Sequence, residues 1–146
     1  MKYPIIATLA FVLVGCTQPE LDELPLSEME NTGEPNLHVA SDGSVTLTYL
    51  QQAQGVSTLY VRRLIEDRWS KPKKVAQGPD LLVNWADFPT LIEADDRLTA
   101  QWMIRNPAPG FAYDVYTASS IDDGATWSPP QRLHADTSAT EHGFVS

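Results

Sequence analysis

Short runs that alternate between apolar and polar residues, separated by turn residues, fill the chain from residue 36 to residue 133. Such alternation with a period of two, together with many Val, Thr and Tyr residues, favours β-strands, and no helical period competes with it. The pattern therefore predicts an all-β fold. The clearest predicted strands are residues 45–49, 58–64, 98–104 and 113–117.

The predicted strands occur in the same order twice. In each half a first strand (residues 37–40 and 89–93) leads through a turn to a second strand, a polar loop (residues 51–57 and 106–110) and a third strand. Trp-Ser-Lys-Pro from Trp69 then corresponds to Trp-Ser-Pro-Pro from Trp127. A period of roughly 55 residues is typical of propellers and arrays. We predict two four-stranded antiparallel blades, at residues 35–76 and 77–134, and the truncated start of a third at residues 135–146.

The turn before the last predicted strand has an unusual composition. It reads Ser-Ile-Asp-Asp-Gly-Ala-Thr-Trp from Ser120 to Trp127. The carboxylate of Asp122 can accept amide hydrogens within the turn, and Gly124 allows the positive φ that a tight turn needs. We predict a fourth strand that starts near Thr126, and a structural role for Ser120, Asp122, Gly124, Thr126 and Trp127.

The motif Ser-x-Asp-x-Gly-x-Thr-Trp resembles the Asp-box, the sequence repeat of bacterial neuraminidases. In that family the box occurs once per blade of a β-propeller, between the third and fourth strands. The resemblance implies part of a sialidase-like propeller, of six blades, in which the box lies away from the catalytic face. It also implies that residues 65–69 are a decayed box. It supports the fold more directly than the activity.

The loops divide between two faces because successive strands of a blade run antiparallel. In sialidase-like propellers the substrate lies on the face opposite the box, where residues 84–89 connect the two units. There Asp87 can act as an acid/base carboxyl and Trp85 can stack on a sugar. Alternatively, Asp87 caps a turn and Trp85 packs between blades. Arg105, at the end of a strand on the same face, can bind a substrate carboxylate or form a salt bridge.

The chain departs from the sialidase pattern where that family carries its first substrate-binding arginine. No Arg-Ile-Pro precedes the first unit, and residues 34–37 read Glu-Pro-Asn-Leu. Three alternatives therefore stay open: an exo-glycosidase or other carbohydrate-processing protein of the cell envelope, a non-catalytic propeller scaffold that binds carbohydrate or protein, and an inactive truncated fragment. His38, His134 and His142 show no metal-ligand spacing, and we predict neither a metal nor a cofactor.

The first residues have the composition of a secretion signal. Lys2 precedes an apolar run at residues 5–14, which is short for a membrane span, and Leu-Val-Gly-Cys follows at its end. This ending resembles the lipobox of bacterial lipoproteins. It implies removal of residues 1–15, lipidation of Cys16 and, because Thr17 follows, an outer-membrane location. Residues 16–34 are acidic and contain two prolines, so we predict an unfolded tether.

The net charge narrows the choice of partner. The chain has 10 Lys and Arg against 19 Asp and Glu, for a net charge of −9. A nucleic-acid partner requires a basic face, so we predict none. The predicted partners are a carbohydrate or glycoconjugate ligand and, through the lipid on Cys16, the membrane.

Overall fold

The computed structural model describes residues 23–26 and 29–143. Within these residues it contains nine β-strands and no helix, which confirms the predicted all-β fold. The described residues therefore include no helix that could cross a membrane. The predicted signal peptide, the lipidation at Cys16 and the last residues of the predicted third unit lie outside the described residues. The strands are β1 (Thr32–Val39), β2 (Val45–Ala53), β3 (Val56–Ile65), β4 (Arg68–Trp69), β5 (Lys73–Gly78), β6 (Thr90–Ala94), β7 (Arg97–Arg105), β8 (Tyr113–Ser120) and β9 (Gln131–Arg132).

The strands form two antiparallel sheets, each with four strand positions. The first has the order β1-β2-β3-β4, and β5 also pairs with β3. Since β4 and β5 pair with opposite ends of β3, at Leu64 and at Tyr60, they share the fourth position. Pro72, which has no N–H to donate, lies in the gap between them. The second sheet has the order β6-β7-β8-β9. The two sheets are blades of a partial β-propeller.

The core lies between the two sheets and joins them. Leu50, Leu59 and Val61 of the first sheet pack with residues of the second sheet, of which Trp102 is the largest. Leu81, from the connection between the sheets, closes the same cluster. The other members are Leu91, Leu98, Ala100 and Ala118. Each blade thus buries its apolar face against its neighbour, as a sheet with one hydrophobic face must.

Three element boundaries differ from the predictions. A polar loop was predicted at residues 51–57, but the connection is a two-residue turn because β2 extends to Ala53 and β3 begins at Val56. The turn residues are Gln54 (φ 52°) and Gly55 (φ 76°), and two positive φ angles are typical of a type I′ hairpin. The fourth strand expected from Thr126 is limited to β9, since Pro129 and Pro130 precede it and cannot donate hydrogen bonds. β1 begins at Thr32, inside the stretch predicted as tether.

The turn from Ser120 to Trp127 is held by its own side chains. Asp122 accepts the N–H of Thr126 at 2.8 Å and its hydroxyl at 2.6 Å. The Ser120 hydroxyl donates to Asp122 at 2.7 Å and accepts the N–H of Gly124 at 2.8 Å. The hydrogen bonds that Thr126 and Ser120 donate to Asp122 lower the pKa of its carboxyl to about 2, and the Thr126 hydroxyl makes the largest contribution. Trp127 packs against the core between the sheets, so this turn also fixes an interior side chain.

At the same end of the fold an arginine ties the two sheets together. Arg63 of β3 donates to Glu93 of the second sheet at 2.9 Å and to Asp123 at 2.8 Å. It also donates to the Ser44 hydroxyl at 2.9 Å. Lys73 adds a second cation to Asp123 at 2.8 Å. The end of the sheets that carries the Ser120–Trp127 turn is thus occupied by ionic contacts between the blades.

Candidate functional site

The opposite end of the second sheet carries the residues predicted to contact a ligand. β7 and β8 pair in a register that sets Leu98 beside Ser120 at one end and Arg105 beside Tyr113 at the other. The connection from β5 to β6 folds back along β7, where Leu82 donates its N–H to Met103 at 2.9 Å. This return brings the residues before β6 to the Tyr113 end, away from the Ser120–Trp127 turn.

Asp87 is buried at this end rather than open to solvent. It is 8% exposed, and its Oδ2 accepts the Tyr113 hydroxyl at 2.8 Å and the Asn84 amide at 2.9 Å. Its Oδ1 is buried and has no hydrogen-bond partner among the described residues. Two hydrogen-bond donors on Oδ2 hold the carboxylate in one orientation, while Oδ1 remains able to accept a hydrogen bond.

Gly143 covers the free side of this pair. A Cβ at Gly143 would lie 2.7 Å from Asp87 Oδ1 and 2.5 Å from the Tyr113 hydroxyl. The backbone can approach this closely only because glycine has no side chain. Residues just before it pair with the start of β8, where Tyr113 bridges Glu141 in parallel. A ligand can therefore reach Asp87 Oδ1 only by moving this segment.

Tyr113 acts as a hydrogen-bond donor to Asp87. Burial raises the pKa of the Tyr113 phenol, and the hydrogen bond to the Asp87 carboxylate raises it further. The phenol consequently keeps its proton at neutral pH. In this arrangement Tyr113 positions the carboxylate and is not an activated nucleophile.

Trp85 and Arg105 provide an exposed surface at the same end. Trp85 is 87% exposed, so it does not pack between the two described sheets. The Arg105 guanidinium lies 5.9 Å from the centre of the Phe111 ring, which is itself half-exposed. Arg105 forms no salt bridge within residues 29–143. A ligand at this end could therefore contact the exposed indole of Trp85 and the guanidinium of Arg105, which has no carboxylate partner among the described residues.

One cluster at this end was not found from the sequence. Asp114, His134 and His142 each place one possible metal-ligand atom within 4.8 Å of the others. The prediction treated the histidines as unrelated because their spacing along the chain matches no metal motif. The signal lies in the strand pairing: Tyr116 pairs with Arg132, and this register sets Asp114 opposite His134.

Asp136 supports both histidine rings. Its carbonyl lies 2.9 Å from His134 Nδ1, and its carboxylate lies 3.3 Å from His142 Nε2. Hydrogen bonds from the N–H and hydroxyl of Ser138, with a smaller contribution from His142, hold the pKa of Asp136 down to about 2. The carboxylate is therefore ionised under ordinary conditions.

Comparisons with known proteins agree with this architecture. No protein-family model and no curated protein matches the sequence. The structure of an endo-arabinase from Bacteroides thetaiotaomicron is similar, with a TM-score of 0.52 and 18% identity over 72% of this chain and 44% of that one. An endo-1,4-beta-xylanase from the same organism gives a TM-score of 0.49 and 14% identity over 74% and 38%. The chain spans less than half the length of either structure. The likeness to the endo-arabinase shows that the two proteins share an all-β fold of this kind.

Proposed function

We propose that this chain is a carbohydrate-binding part of a glycoside-processing propeller, and that the sugar contacts the end that carries Trp85, Asp87 and Arg105. The observation that carries the proposal is the 87% exposed indole of Trp85, two residues from a buried carboxylate with one unpartnered oxygen. The fold shared with an endo-arabinase supports the same class of ligand.

The chemistry of each group fits a sugar. An exposed indole offers an apolar face that stacks on a pyranose or furanose ring, with an N–H at its edge that can bond a hydroxyl. Asp87 Oδ1 can accept a sugar hydroxyl once the segment at Gly143 moves aside, and in the catalytic form of the proposal Asp87 is the acid/base carboxyl. Arg105 can bind a carboxylate, so an acidic sugar such as a sialoside is the finer form of the proposal.

A non-catalytic binding propeller is the second candidate, and the position of Asp87 favours it. Its free oxygen is buried beneath Gly143, and its other oxygen is held by Tyr113 and Asn84. An acid/base group must come within hydrogen-bond reach of the bond that it cleaves. Trp85, by contrast, can bind a sugar without any movement of the protein.

The binding proposal is tested by titrating the full chain with a glycan panel that includes arabino-oligosaccharides and sialosides. We expect saturable binding that Trp85→Ala weakens by at least about tenfold, the effect of losing one stacked ring worth roughly 1.5 kcal/mol. Ile121→Ala is the matched control, because Ile121 is 75% exposed at the opposite end of the sheet. Absence of binding to every glycan, or equal losses in the two variants, overturns the proposal.

The catalytic form needs a separate assay. Release of reducing sugar by the wild type, abolished in Asp87→Asn, supports a glycosidase. Binding without turnover in the wild type leaves the non-catalytic candidate.

The cellular location proposed with this function is the bacterial outer membrane, with the chain anchored by a lipid on Cys16. The sequence Leu-Val-Gly-Cys after an apolar run supports this proposal. Radiolabelled palmitate incorporated into the wild type but not into Cys16→Ser supports the anchor, and equal labelling of both contradicts it.

A further inference from the structure

Two histidines and an aspartate meet beside the start of β8. His134 Nε2 and His142 Nδ1 each lie 3.6 Å from Asp114 Oδ1. All three side chains are mostly buried, with exposures of 20%, 12% and 13% for His134, His142 and Asp114. We call this group the Asp114 cluster.

The two distances from the histidines to Asp114 Oδ1 are too long for hydrogen bonds but suit two ligands of one metal ion. Zinc bonds to nitrogen and oxygen are roughly 2.0–2.2 Å long, so two ligands of a tetrahedral ion lie about 3.3–3.6 Å apart. Asp114 Oδ1 is buried without a hydrogen-bond partner within the described part of the chain, whereas its Oδ2 accepts from Asn106 at 3.5 Å. The oxygen that faces both imidazoles is thus the one that lacks a donor.

The outer sides of the two rings have the contacts expected of metal-binding histidines. His134 Nδ1 faces the Asp136 carbonyl at 2.9 Å, and His142 Nε2 faces the Asp136 carboxylate at 3.3 Å. A proton on each of these nitrogens leaves the lone pairs on His134 Nε2 and His142 Nδ1, the two ring nitrogens 3.6 Å from Asp114 Oδ1. Histidine ligands almost always donate their other N–H to a carbonyl or carboxylate in this way.

Two backbone contacts and the stacking of the rings compete with a metal. The Val115 N–H donates to His134 Nε2 at 3.3 Å, and His142 Nδ1 lies 3.1 Å from the Tyr113 carbonyl. The two rings stack with centres 3.8 Å apart and planes 9° from parallel. Because a metal lies close to the plane of each imidazole that binds it, the rings must tilt apart to bind the same ion.

We propose that Asp114, His134 and His142 bind a divalent transition-metal ion of the zinc class. Two imidazoles and one carboxylate suit Zn²⁺, whereas Ca²⁺ and Mg²⁺ prefer oxygen ligands. A cleft of about 220 Å³ borders both histidines and Gly143, so solvent or a further ligand can reach a fourth coordination position.

The proposed ion has a structural consequence that does not depend on the proposed function. It joins β8, which carries Asp114, to the segment that follows β9. Gly143 follows His142 directly and lies against Asp87 and Tyr113. Metal binding therefore holds this segment over the buried carboxylate.

The test is a calorimetric titration of the full chain with ZnCl₂, together with Co²⁺ titration followed by visible absorption. We expect one equivalent of either metal to bind, no response to Mg²⁺, and a rise in melting temperature with excess Zn²⁺, because a ligand that binds the folded state stabilises it. Asp114→Asn and His142→Gln should each weaken binding by at least about tenfold, and Asp136→Asn by about 10–100-fold. The Co²⁺ spectrum should change in Asp136→Asn, which a purely structural effect would not cause.

Two control variants make the result specific. His38→Gln removes the remaining histidine, whose Nε2 accepts the Glu93 N–H at 3.1 Å at the other end of the sheet, and should bind Zn²⁺ like the wild type. Cys16→Ser removes the only cysteine and should also bind normally. Absence of saturable binding by the wild type, or unchanged binding in folded Asp114→Asn and His142→Gln, overturns the proposal, as does loss of binding in Cys16→Ser.

Discussion

Ser70 and Ser128 make the same pair of hydrogen bonds to the third strand of their respective sheets. The N–H of Ser70 donates to the Arg63 carbonyl at 2.8 Å, and its Oγ accepts the Arg63 N–H at 3.0 Å. The N–H of Ser128 donates to the Ser119 carbonyl at 2.8 Å, and its Oγ accepts the Ser119 N–H at 3.0 Å. The repeat between the two units therefore extends to individual hydrogen bonds.

The turns that precede these serines differ, although they lead to the same pairing. In the first sheet Glu66 (φ 46°) and Asp67 (φ 60°) form a two-residue turn. In the second sheet the longer turn from Ser120 to Trp127 brings Gly124 between the blades. A Cβ there would lie 3.3 Å from Val61 of the first sheet and 3.6 Å from Leu98 of the second. The second turn thus takes part in packing between the sheets.

The first prediction concerns this close approach. Gly124→Ala should destabilise the fold by about 2–3 kcal/mol, since Gly124 has φ +79° and the new methyl group would crowd Val61. Gly55→Ala is the matched control, because Gly55 has φ +76° and no atom near the added Cβ. It should cost only the backbone strain, about 1 kcal/mol. Urea unfolding of both variants measures the difference, and equal losses would show that the contact between the sheets is unimportant.

The second prediction is a dependence on pH. Thr126 and Ser120 hold the pKa of Asp122 at about 2, below the value of about 3.9 for an unfolded aspartate. A lowered pKa in the folded state gives stability that is complete above about pH 4 and is lost as the pH falls through about 2. Asp122→Asn should thus have a lower urea midpoint than the wild type at neutral pH and the same midpoint near pH 2.

Thr126→Val provides the control for this pH dependence. It removes the hydroxyl donor, which is the largest cause of the lowered pKa, and leaves the Thr126 N–H bond to Asp122 in place. The acid-dependent loss of stability should therefore be smaller than in the wild type and should be complete at a higher pH, because only the folded-state pKa changes. A difference between the wild type and Asp122→Asn that stays constant down to pH 2 would contradict the proposed role of the carboxylate.

The sequence predicted the sheets well because strand alternation is a local property. The prediction for residues 58–64 falls within β3 (Val56–Ile65), and the Trp-Ser repeat located the fourth strand position in both units. The sequence predicted a loop at residues 51–57 because Gln, Ser and Gly are common in loops. In the structure Gln51 pairs with Thr58 and Gln52 with Ser57 at the end of a hairpin, a pairing that composition alone does not show.

The candidate site was predicted less completely, because its contacts join segments that are distant along the chain. The bond between Asp87 and Tyr113 depends on how the connection before β6 folds back along β7. The Asp114 cluster depends on the register of β8 and β9. Gly143, which lies against Asp87 Oδ1, is likewise distant from Asp87 along the chain.

The third prediction tests the ionic contact between the sheets. Arg63→Met should destabilise the fold by about 2 kcal/mol, because it leaves Glu93, only 19% exposed, without its cationic partner. In a double-mutant cycle with Glu93→Gln we expect a coupling energy of about 1 kcal/mol. Arg97→Met is the control, since Arg97 is exposed and forms no ion pair in the described chain, and it should change stability by less than about 0.5 kcal/mol. A coupling energy near zero would mean that the ion pair contributes nothing to holding the blades together.

The last prediction concerns the hydroxyl that holds Asp87. Tyr113→Phe removes the 2.8 Å hydrogen bond and leaves the buried carboxylate with Asn84 alone, so it should cost about 1–3 kcal/mol. Tyr116→Phe, on the same strand, removes a hydroxyl that makes no hydrogen bond with any described residue and should cost less than about 0.5 kcal/mol.

The loss of stability in Tyr113→Phe should also depend on pH. Because burial and Asp87 raise the pKa of folded Tyr113, its stabilising effect is complete below the unfolded value of about 10 and is lost as the pH rises towards the folded value.

Alkaline unfolding distinguishes this role of Tyr113 from simple packing. The difference in urea midpoint between the wild type and Tyr113→Phe should be constant from neutral pH to about pH 10 and should shrink above it, since only the protonated phenol can donate to Asp87. A loss of packing would give a difference that does not change with pH. Asp87→Asn in the Tyr113→Phe background should then cost less than Asp87→Asn alone, because the two groups contribute through one shared hydrogen bond.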